Sequence, residues 1–376
     1  MKIRQIDTQL RSDMQAFLDL PFQLYAKTSQ WVPPLQSDAL RQLDRKSAPF
    51  YQHSDAAFFI ASKSGGAEGN LGRLAVLDNR HFNEFNHEKT AFFYLFECAD
   101  DQEAAQGLFE AGANWARQRG LNALFGPKGF TALDGMGLLV EGFEHRPALG
   151  IPYNQPYYAR LLESCEFLPA GETVSGYIHR KITFPEKIHQ VAQLVQQRKG
   201  LRVARFRRRS DLYKLLPKLR DLYNGAIEGT SGNTPLTDEE ALTMADQILW
   251  FADPRLIKIV YKEEQPVGFL FAYPDISAAL QRSRGRLWPL GWADLLLELR
   301  RTRWLNINGA GLLPEYRGMG GTALLFSEIY KTILESRFEH VDVVQIGTDN
   351  ERMQNEMRNF GIQFYKKHRM YRKDLF

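Results

Sequence analysis

The sequence predicts a mixed α/β protein built from two tandem halves, residues 1–185 and residues 186–376. Three observations predict it. A chain of 376 residues can bury a sizeable core in each of two ordinary domains. Strand-type and helix-type patterns alternate along it. The halves also repeat: Asn154 and Asn350, each followed by a short helix pattern, lie 196 residues apart, which indicates a domain duplication.

In the first half, two apolar segments joined by a glycine-rich turn predict a strand pair, and a third strand is predicted in KTAFFYLFECA. Residues 102–119 then carry apolar residues at helical spacing and stop at Gly120. A short strand (LNALFGP), a glycine-rich loop and a short helix within PYNQPYYARLLESCEF complete this half.

A polar helix over residues 186–199 is predicted to connect the halves. After it come a strand, LRVARFR, and two helices, the first capped by Ser210 and the second opened by a capping box of Thr237 and Glu240. The remaining predicted elements are the hairpin LIKIVYKEEQPVGFLFAY, the strand WLNINGAGLL, a helix over 321–336, the strand VDVVQIGT, the helix ERMQNEMRNF and a terminal strand.

The composition is that of an ordinary globular protein, with 44% hydrophobic residues, 24% charged residues and a formal net charge of +4. Cys98 and Cys165 lack any partner spacing, so neither a disulfide framework nor a zinc site is predicted. The histidines form no H-x-H or H-x-x-x-H pair, and no metal site is expected. Without a signal-peptide pattern or an apolar run of ~18 residues, the chain is predicted to be cytoplasmic.

The stretch LLPEYRGMGGTALLF, residues 312–326, leads from a strand into a helix through Arg317, Gly318, Met319, Gly320 and Gly321. A helix N-terminus offers unpaired N–H groups and partial positive charge, and glycines let a phosphate approach them. The arginine adds charge-assisted donors. On composition alone this is an ordinary glycine-rich turn or a pyrophosphate cradle, and it is neither a Walker A loop nor a G-x-G-x-x-G motif.

The spacing from Arg317 to Gly320, together with Asn350 and the later Gly361-Ile362, resembles the acyl-CoA motifs of the GNAT (Gcn5-related N-acetyltransferase) superfamily. The order of elements from Arg202 to Phe376 matches that fold, and the first half resembles it more loosely, as in bacterial two-domain GNAT-like proteins. The resemblance implies that each half has a mixed, mostly antiparallel central sheet flanked by helices.

The resemblance also implies that the second half binds acetyl-CoA or a longer acyl-CoA as donor. Leu312 and Leu313 would pair with the pantetheine arm, and Asn350 would face it. The backbone amides of residues 318–322 would hold the pyrophosphate, although Thr322 stands where the family usually has glycine or alanine.

The sequence offers one candidate for the general acid and two for the general base. Met357 occupies the position of the usual tyrosine acid, so Tyr365 is the candidate acid, with an ordinary strand tyrosine as the alternative. Glu228 is a candidate base in the connection that lines the acceptor site of GNAT folds, if burial raises its pKa. Asp349 is a second candidate base, and for both carboxylates a solvated loop position is the alternative.

Four further polar residues are candidates to contact the acceptor amine. Thr230 and Asn233 lie in the same connection as Glu228, with a solvated loop as the alternative. Asn306 and Asn308 alternate along the strand that leads to the cradle, and either point into the cleft or pair with neighbouring strands.

The corresponding stretch of the first half, ECADDQEAAQG, contains Asp100, Asp101 and Glu103 and no arginine. Three carboxylates suit the start of a helix but repel a pyrophosphate. The first half is therefore expected not to bind CoA, and to form one wall of the substrate cleft.

The predicted function is that of an acyl-CoA-dependent N-acyltransferase acting on a small-molecule or peptide amine. One alternative is an aminoacyl transferase similar to the Fem peptidoglycan enzymes, which would use aminoacyl-tRNA. Another is a non-catalytic protein that binds CoA or a different ligand, a possibility raised by Thr322 and Met357.

Two segments bear on the partners of the protein. Residues 287–305 predict a helix packed over the sheet or a homodimer contact, with an amphipathic flap that touches a membrane or an acyl chain as the alternative. The arginines of RVARFRRRS have little aromatic interleaving and predict an exposed strand edge, so nucleic acid is not expected as a partner.

Overall fold

The computed structural model describes residues 1–63, 69–228 and 233–376. The strands formed by these residues are β1 (Lys2–Gln5), β2 (Asp55–Ser62), β3 (Asn70–Asp78), β4 (Thr90–Cys98), β5 (Ala123–Gly126), β6 (Leu138–Glu141), β7 (Leu168–His179), β8 (Leu201–Ala204), β9 (Lys258–Lys262), β10 (Gln265–Pro274), β11 (Trp304–Leu312), β12 (His340–Gly347) and β13 (Gln363–Asp374).

The helices of the same residues are α1 (Arg11–Leu24), α2 (Gln36–Leu43), α3 (Arg80–Asn86), α4 (Gln102–Arg117), α5 (Tyr158–Ser164), α6 (Glu186–Lys199), α7 (Arg209–Lys214), α8 (Leu216–Ala226), α9 (Asp238–Leu249), α10 (Ser277–Ser283), α11 (Gly291–Arg301), α12 (Gly321–Leu334) and α13 (Glu351–Asn359).

The strands form one continuous mixed sheet in the order β1-β2-β3-β4-β5-β13-β7-β12-β11-β10-β9-β8, with β6 paired to β13. The pairs β4–β5 and β11–β12 are parallel, and the other ladders of the described residues are antiparallel. The mostly antiparallel, mixed sheet that was predicted is therefore present.

The two halves exchange their last strands. β7 belongs to the first half in sequence but pairs with β12, whereas β13 ends the second half and pairs with β5. The two exchanged strands also pair with each other at the centre of the sheet. The boundary at residue 186 remains a prediction, but each half completes its sheet with a strand from the other.

Both faces of the sheet are covered in the first half. Along β2, one set of alternate residues, including Phe59, packs with α4, and the other set, including Phe58, packs with Phe17 of α1. Such two-sided burial explains why AAFFIA is apolar at every position rather than at every second one. The exchange extends into these cores, because Tyr371 of β13 lies in the cluster with α4.

Several predicted elements are confirmed. The connecting helix α6 spans the predicted residues, and Thr237 and Glu240 form a complete capping box at the start of α9. The prediction of Ser210 as a cap was wrong, because α7 already begins at Arg209. The single helix predicted there is two helices, since α8 starts anew with a proline in its first turn.

We expect Tyr371→Ala to destabilise the first half, although Tyr371 lies near the end of the second. Its side chain is fully buried in the first-half core, and truncating a buried aromatic residue costs about 3–5 kcal/mol. Urea unfolding followed by hydrogen exchange of β2–β4 would measure the effect. Tyr371→Phe is the matched control, since it keeps the buried ring and removes only the hydroxyl, which bonds to Glu163, at about 1 kcal/mol for each bond lost. Loosening confined to α13 and β12 would contradict the prediction.

Candidate active site

The loop between β11 and α12 changes direction at two glycines with positive φ. Gly318 has φ of +81° and Gly320 has φ of +86°, a region that residues with a Cβ rarely adopt. Space is also limited, because a Cβ at Gly320 would lie 2.6 Å from Val195 of α6. The glycines therefore let the chain enter α12 with its backbone close to its neighbours.

The first turn of α12 lacks a side-chain cap from the residues that the structure describes. Gly320 is the N-cap residue. The N–H groups of Gly321, Thr322 and Ala323 lie in this first turn, where an α-helix has no internal acceptors for them. The positive end of the helix and its unpaired donors therefore suit an anionic group, and the binding of a pyrophosphate there stays a prediction.

The side chain of Arg317 is hydrogen-bonded to backbone carbonyl groups beside this turn. Its guanidinium donates to the carbonyl oxygens of Ala226 and Glu228 at 2.9 Å each, and to that of Leu312 at 3.3 Å. The side chain thus ties the end of α8 to the end of β11. It shapes the loop, and its bonds to these carbonyls compete with any bond to a phosphate.

A second arginine, which the sequence analysis missed, lies at the loop. A Cβ at Gly318 would lie 3.0 Å from Nη2 of Arg352, and Arg352 is an exposed residue of the first turn of α13. Its nearest anionic partner is Glu356, at 3.4 Å. Arg352 therefore places a cation next to the open turn, and only tertiary packing reveals it, because 34 residues separate it from Gly318.

The strands β11 and β12 separate below the loop. They pair in parallel from Trp304 to Ile307, and their ladder ends with the pair of Ile307 and Val343. The N–H of Leu313 donates to the carbonyl of Val267, so backbone groups of Leu312 and Ala310 face the opposite edge, toward the gap. Of the two residues predicted to pair with a pantetheine arm, Leu312 has this orientation.

Asn350 caps α13 on the other side of the gap. Its Oδ1 accepts the N–H of Met353 at 3.1 Å, which leaves its amide nitrogen to other partners. Met357, further along this helix, is fully buried in the core of the second half.

The equivalent helix start in the first half is closed. The side chain of Asp101 caps α4 by accepting the N–H of Ala104 at 2.9 Å, and Asp100 pairs with Arg160. Negative charge therefore occupies the position that α12 leaves open. Carboxylates at this position would repel a pyrophosphate, and the absence of CoA binding by the first half stays a prediction.

A cavity of about 360 Å³ lies between the two halves. Its walls come from α1, α2 and β4 of the first half and from α9, β10 and α10 of the second. Most of its lining is apolar, including Phe22, Trp31, Leu35, Phe130 and Met244. At β11 the cavity is lined by Asn308, the residue that directly follows the last β11–β12 pair. The cavity therefore reaches the point where the two strands separate.

Buried polar groups lie next to this point. Asn306 is 1% exposed, and both its amide atoms lack a hydrogen-bond partner among the residues described. Its neighbour across the ladder is Asp342, whose Oδ2 accepts bonds from Tyr365 and Lys366 at 2.7 Å each. Burial and the Asp342 carboxylate raise the pKa of the Tyr365 hydroxyl well above its usual value.

The two predicted bases, Glu228 and Asp349, and the predicted acceptor contact Asn233 are not among the residues that line the cavity. Glu228 and Asp349 are exposed, at the end of α8 and of β12 respectively, and Asn233 accepts a bond through its carbonyl from Asn86. Thr230 lies outside the described residues. The roles of these residues stay predictions.

Carboxylates that the sequence analysis did not single out line the cavity instead. Burial raises the pKa of Asp134 to about 6, although its carboxylate accepts the N–H groups of Phe130 and Thr131. Burial also raises the pKa of Glu97, which accepts the hydroxyls of Tyr25 and Tyr158 at 2.6 and 2.8 Å. The sequence offers no local signal for either, because burial depends on the packing of both halves.

Among the described residues, two groups each bring three potential metal ligands together, namely His53, His81 and Glu240, and His179, Glu339 and His340. Hydrogen bonds within the protein account for part of each arrangement: His53 lies 3.3 Å from Glu240, and His340 lies 2.8 Å from the hydroxyl of Tyr177. Sequence spacing could not reveal these groups, since their members come from separate segments. That the protein works without a metal stays a prediction.

No family model matches the chain. It is 25% identical over 372 residues to "Protein YghO" of Escherichia coli, covering 97% of this chain and 94% of the relative. It is 24% identical over 387 residues to "Bacterial ceramide synthase" of Caulobacter vibrioides, covering 98% and 97%.

Two solved structures share the fold along the whole chain. A tandem GNAT protein from the clavulanic acid biosynthesis pathway has a TM-score of 0.57 at 10% identity, covering 100% of this chain and 98% of that one. A GCN5-related N-acetyltransferase from Sphaerobacter thermophilus has a TM-score of 0.54 at 14% identity, covering 100% and 95%. The chain therefore has the fold of tandem GCN5-related N-acetyltransferases, which confirms the resemblance seen in the sequence.

Proposed function

We propose that the protein is an acyl-CoA-dependent N-acyltransferase whose acceptor is an amine with a long apolar chain. The observation that carries the proposal is the cavity between the halves, which is mostly apolar and reaches β11 at Asn308, where the strands separate. Its volume of about 360 Å³ falls within the ~300–1,000 Å³ of pockets that hold small organic ligands.

The donor would lie in the second half. The open turn of α12 and Arg352 would hold the pyrophosphate, and the free edge of β11 at Leu312 and Ala310 would pair with the amide-containing arm. Arg317 would keep the loop in shape through its three bonds to backbone carbonyls. Holding the thioester and the amine together makes the reaction effectively unimolecular, which is the main contribution expected of such a site.

The acceptor would enter from the cavity, with its amine toward Asn308 and Asn306. The unpartnered amide of Asn306 could then bind the amine or the developing tetrahedral oxygen. Asp134 joins Glu228 and Asp349 as a candidate base, because a carboxyl with a pKa of about 6 can accept a proton near neutral pH. Tyr365 remains the candidate acid.

The curated relative from Caulobacter gives the proposal a chemical reference. It is named as a ceramide synthase, and a ceramide is a fatty-acid amide of a long-chain amino alcohol. An enzyme that forms such an amide needs apolar space beside the amine, and the cavity offers that space here. At 24% identity the likeness supports the substrate class and leaves the individual amine open.

We expect a long-chain acyl-CoA to raise the thermal stability of the protein, and Arg352→Ala to weaken this effect. A ligand at one hundred times its Kd stabilises the folded state by about 2.7 kcal/mol, and the loss of one charge-assisted contact should raise Kd about tenfold. Differential scanning fluorimetry across a titration of acetyl-CoA, palmitoyl-CoA and free CoA would measure both.

Arg358→Ala is the control for this titration, since Arg358 is exposed on the same helix. Equal weakening by both variants would remove Arg352 from the site. No stabilisation by any of the three compounds would contradict the acyl-CoA donor, and would favour an aminoacyl-tRNA donor or a non-catalytic role.

We expect Ala39→Trp to reduce acylation of a long-chain amine at least about tenfold while a short-chain amine is affected little. Ala39 lines the cavity from α2, and the indole would occupy volume that a long chain needs. Release of free CoA in the presence of amines of increasing chain length would measure it. Ser37→Trp is the control, because Ser37 is exposed on the same helix. Equal losses for short and long amines would show that the cavity does not hold the chain.

We expect kcat/KM to rise with pH through about 6 if Asp134 is the base, because the carboxyl must lose its proton before it can accept one from the amine. Asp134→Asn should remove this acidic limb and lower the rate about 100-fold or more. Asp19→Asn is the control, since Asp19 lines the same cavity and is not among the groups that raise the pKa of Asp134. If a folded Asp134→Asn variant kept the same rise of kcat/KM with pH, Asp134 would not be the base, and Glu228 or Asp349 would remain the candidates.

A further inference from the structure

The segment between β10 and β11 carries a surface of exposed apolar side chains. It contains α10 and α11, which pack against each other around the buried Leu280 and Leu295. Six large apolar residues lie on its outer side, with exposed fractions from 37% to 81%; they are Leu287, Trp288, Leu290, Trp292, Leu296 and Leu297. We call these six residues the apolar patch.

Positive charge surrounds the apolar patch. Residues 282–303 contain six arginines and two carboxylates, an excess of four charges that equals the formal net charge of the whole chain. Both carboxylates, Asp294 and Glu298, are paired with Arg282. Arg300 and Arg301 are exposed at the end of α11, so the patch has a cationic border.

The same segment forms part of the cavity wall. Ile276 and Leu280 line the cavity from one side, and Arg284 and Arg286 line it where α10 leads into the apolar patch. Arg284 lies over the ring of Phe22 on α1, 5.0 Å from its centroid. The patch and the cavity are therefore continuous along one short segment of chain.

We propose that the apolar patch binds the surface of a membrane that contains anionic phospholipids, with the cavity facing the bilayer. Tryptophan and leucine side chains insert at the boundary between headgroups and acyl chains, and arginines contact the anionic headgroups. Among the described helices, none is long and apolar enough to cross a membrane. Membrane binding would supply the lipid-like amine of the proposed function, but the binding itself does not require that function.

The charges favour a membrane over a second copy of the chain. In a symmetric dimer formed through this patch, each copy would bring the same arginine border against the other, since a two-fold contact joins identical surfaces. An anionic surface instead neutralises Arg300 and Arg301, each worth about fivefold in affinity.

The proposal can be tested by co-sedimentation of the full chain with vesicles, without CoA or amine. We expect binding to vesicles of phosphatidylcholine and phosphatidylglycerol, and weaker binding to phosphatidylcholine alone or at high salt. The double variant Trp288→Ser and Leu290→Ser should weaken binding at least about tenfold. Arg300→Glu and Arg301→Glu together should weaken it at least about 25-fold.

Matched controls lie elsewhere on the surface. Leu168→Ser removes a side chain that is 70% exposed, against 73% for Leu290, and Arg207→Glu with Arg208→Glu reverses two adjacent exposed arginines. Both controls should bind vesicles as the unchanged protein does. Absence of vesicle binding, or equal losses in patch and control variants, would overturn the proposal. So would patch variants that alter the sedimentation coefficient in solution but leave vesicle binding intact, since the patch would then join two copies.

The outcomes separate this proposal from the proposed function. Vesicle binding with no acyl-CoA binding would support the membrane contact and contradict the proposed acyl-CoA-dependent acyltransferase. Acyl-CoA binding with no vesicle binding would support the acyl-CoA donor and overturn the membrane contact.

Discussion

The exchange of β7 and β13 is the constraint on which the rest of the structure depends. It joins the sheets of both halves into one, and it fixes how the halves face each other, because each sheet is completed by a strand of the other. The cavity follows from this geometry: its walls include β4 from one half and β10 and β11 from the other. A hinge between independent domains would give no such fixed space, whereas a shared sheet holds its two walls in register.

Two helix starts that are equivalent in the fold have opposite electrostatic character. α4 is capped by Asp101 and flanked by further carboxylates, while α12 begins at a glycine, with an arginine on either side of its loop. The two copies of the fold therefore differ at the one position where a helix start could hold an anion. The first copy contributes walls to the cavity, among them Glu97, whose carboxylate accepts the hydroxyls of Tyr25 and Tyr158.

The sequence predicts local features well and long-range ones poorly. The bounds of α6, the capping box of α9 and the glycine loop before α12 all depend on neighbouring residues, so their patterns are visible in the sequence. β7 was missed because LPAGETVSGYIH contains proline, two glycines and several polar residues, and gains its order from pairing with β12 and β13. Arg352, the cavity and the raised pKa of Asp134 depend on segments far apart in the chain, which no local pattern specifies.

The exchanged strands also have a consequence for how the chain reaches its native state. The pairing of β5 with β13 joins Gly126 to Tyr371, so the core of the first half lacks a strand until residue 371 has been synthesised. Contacts of such large sequence separation slow folding, because the loop between them must close first. During translation the open edge of β5 would remain unpaired and exposed to wrong partners. The duplicated architecture thus gains a rigid cleft at the cost of a late folding step.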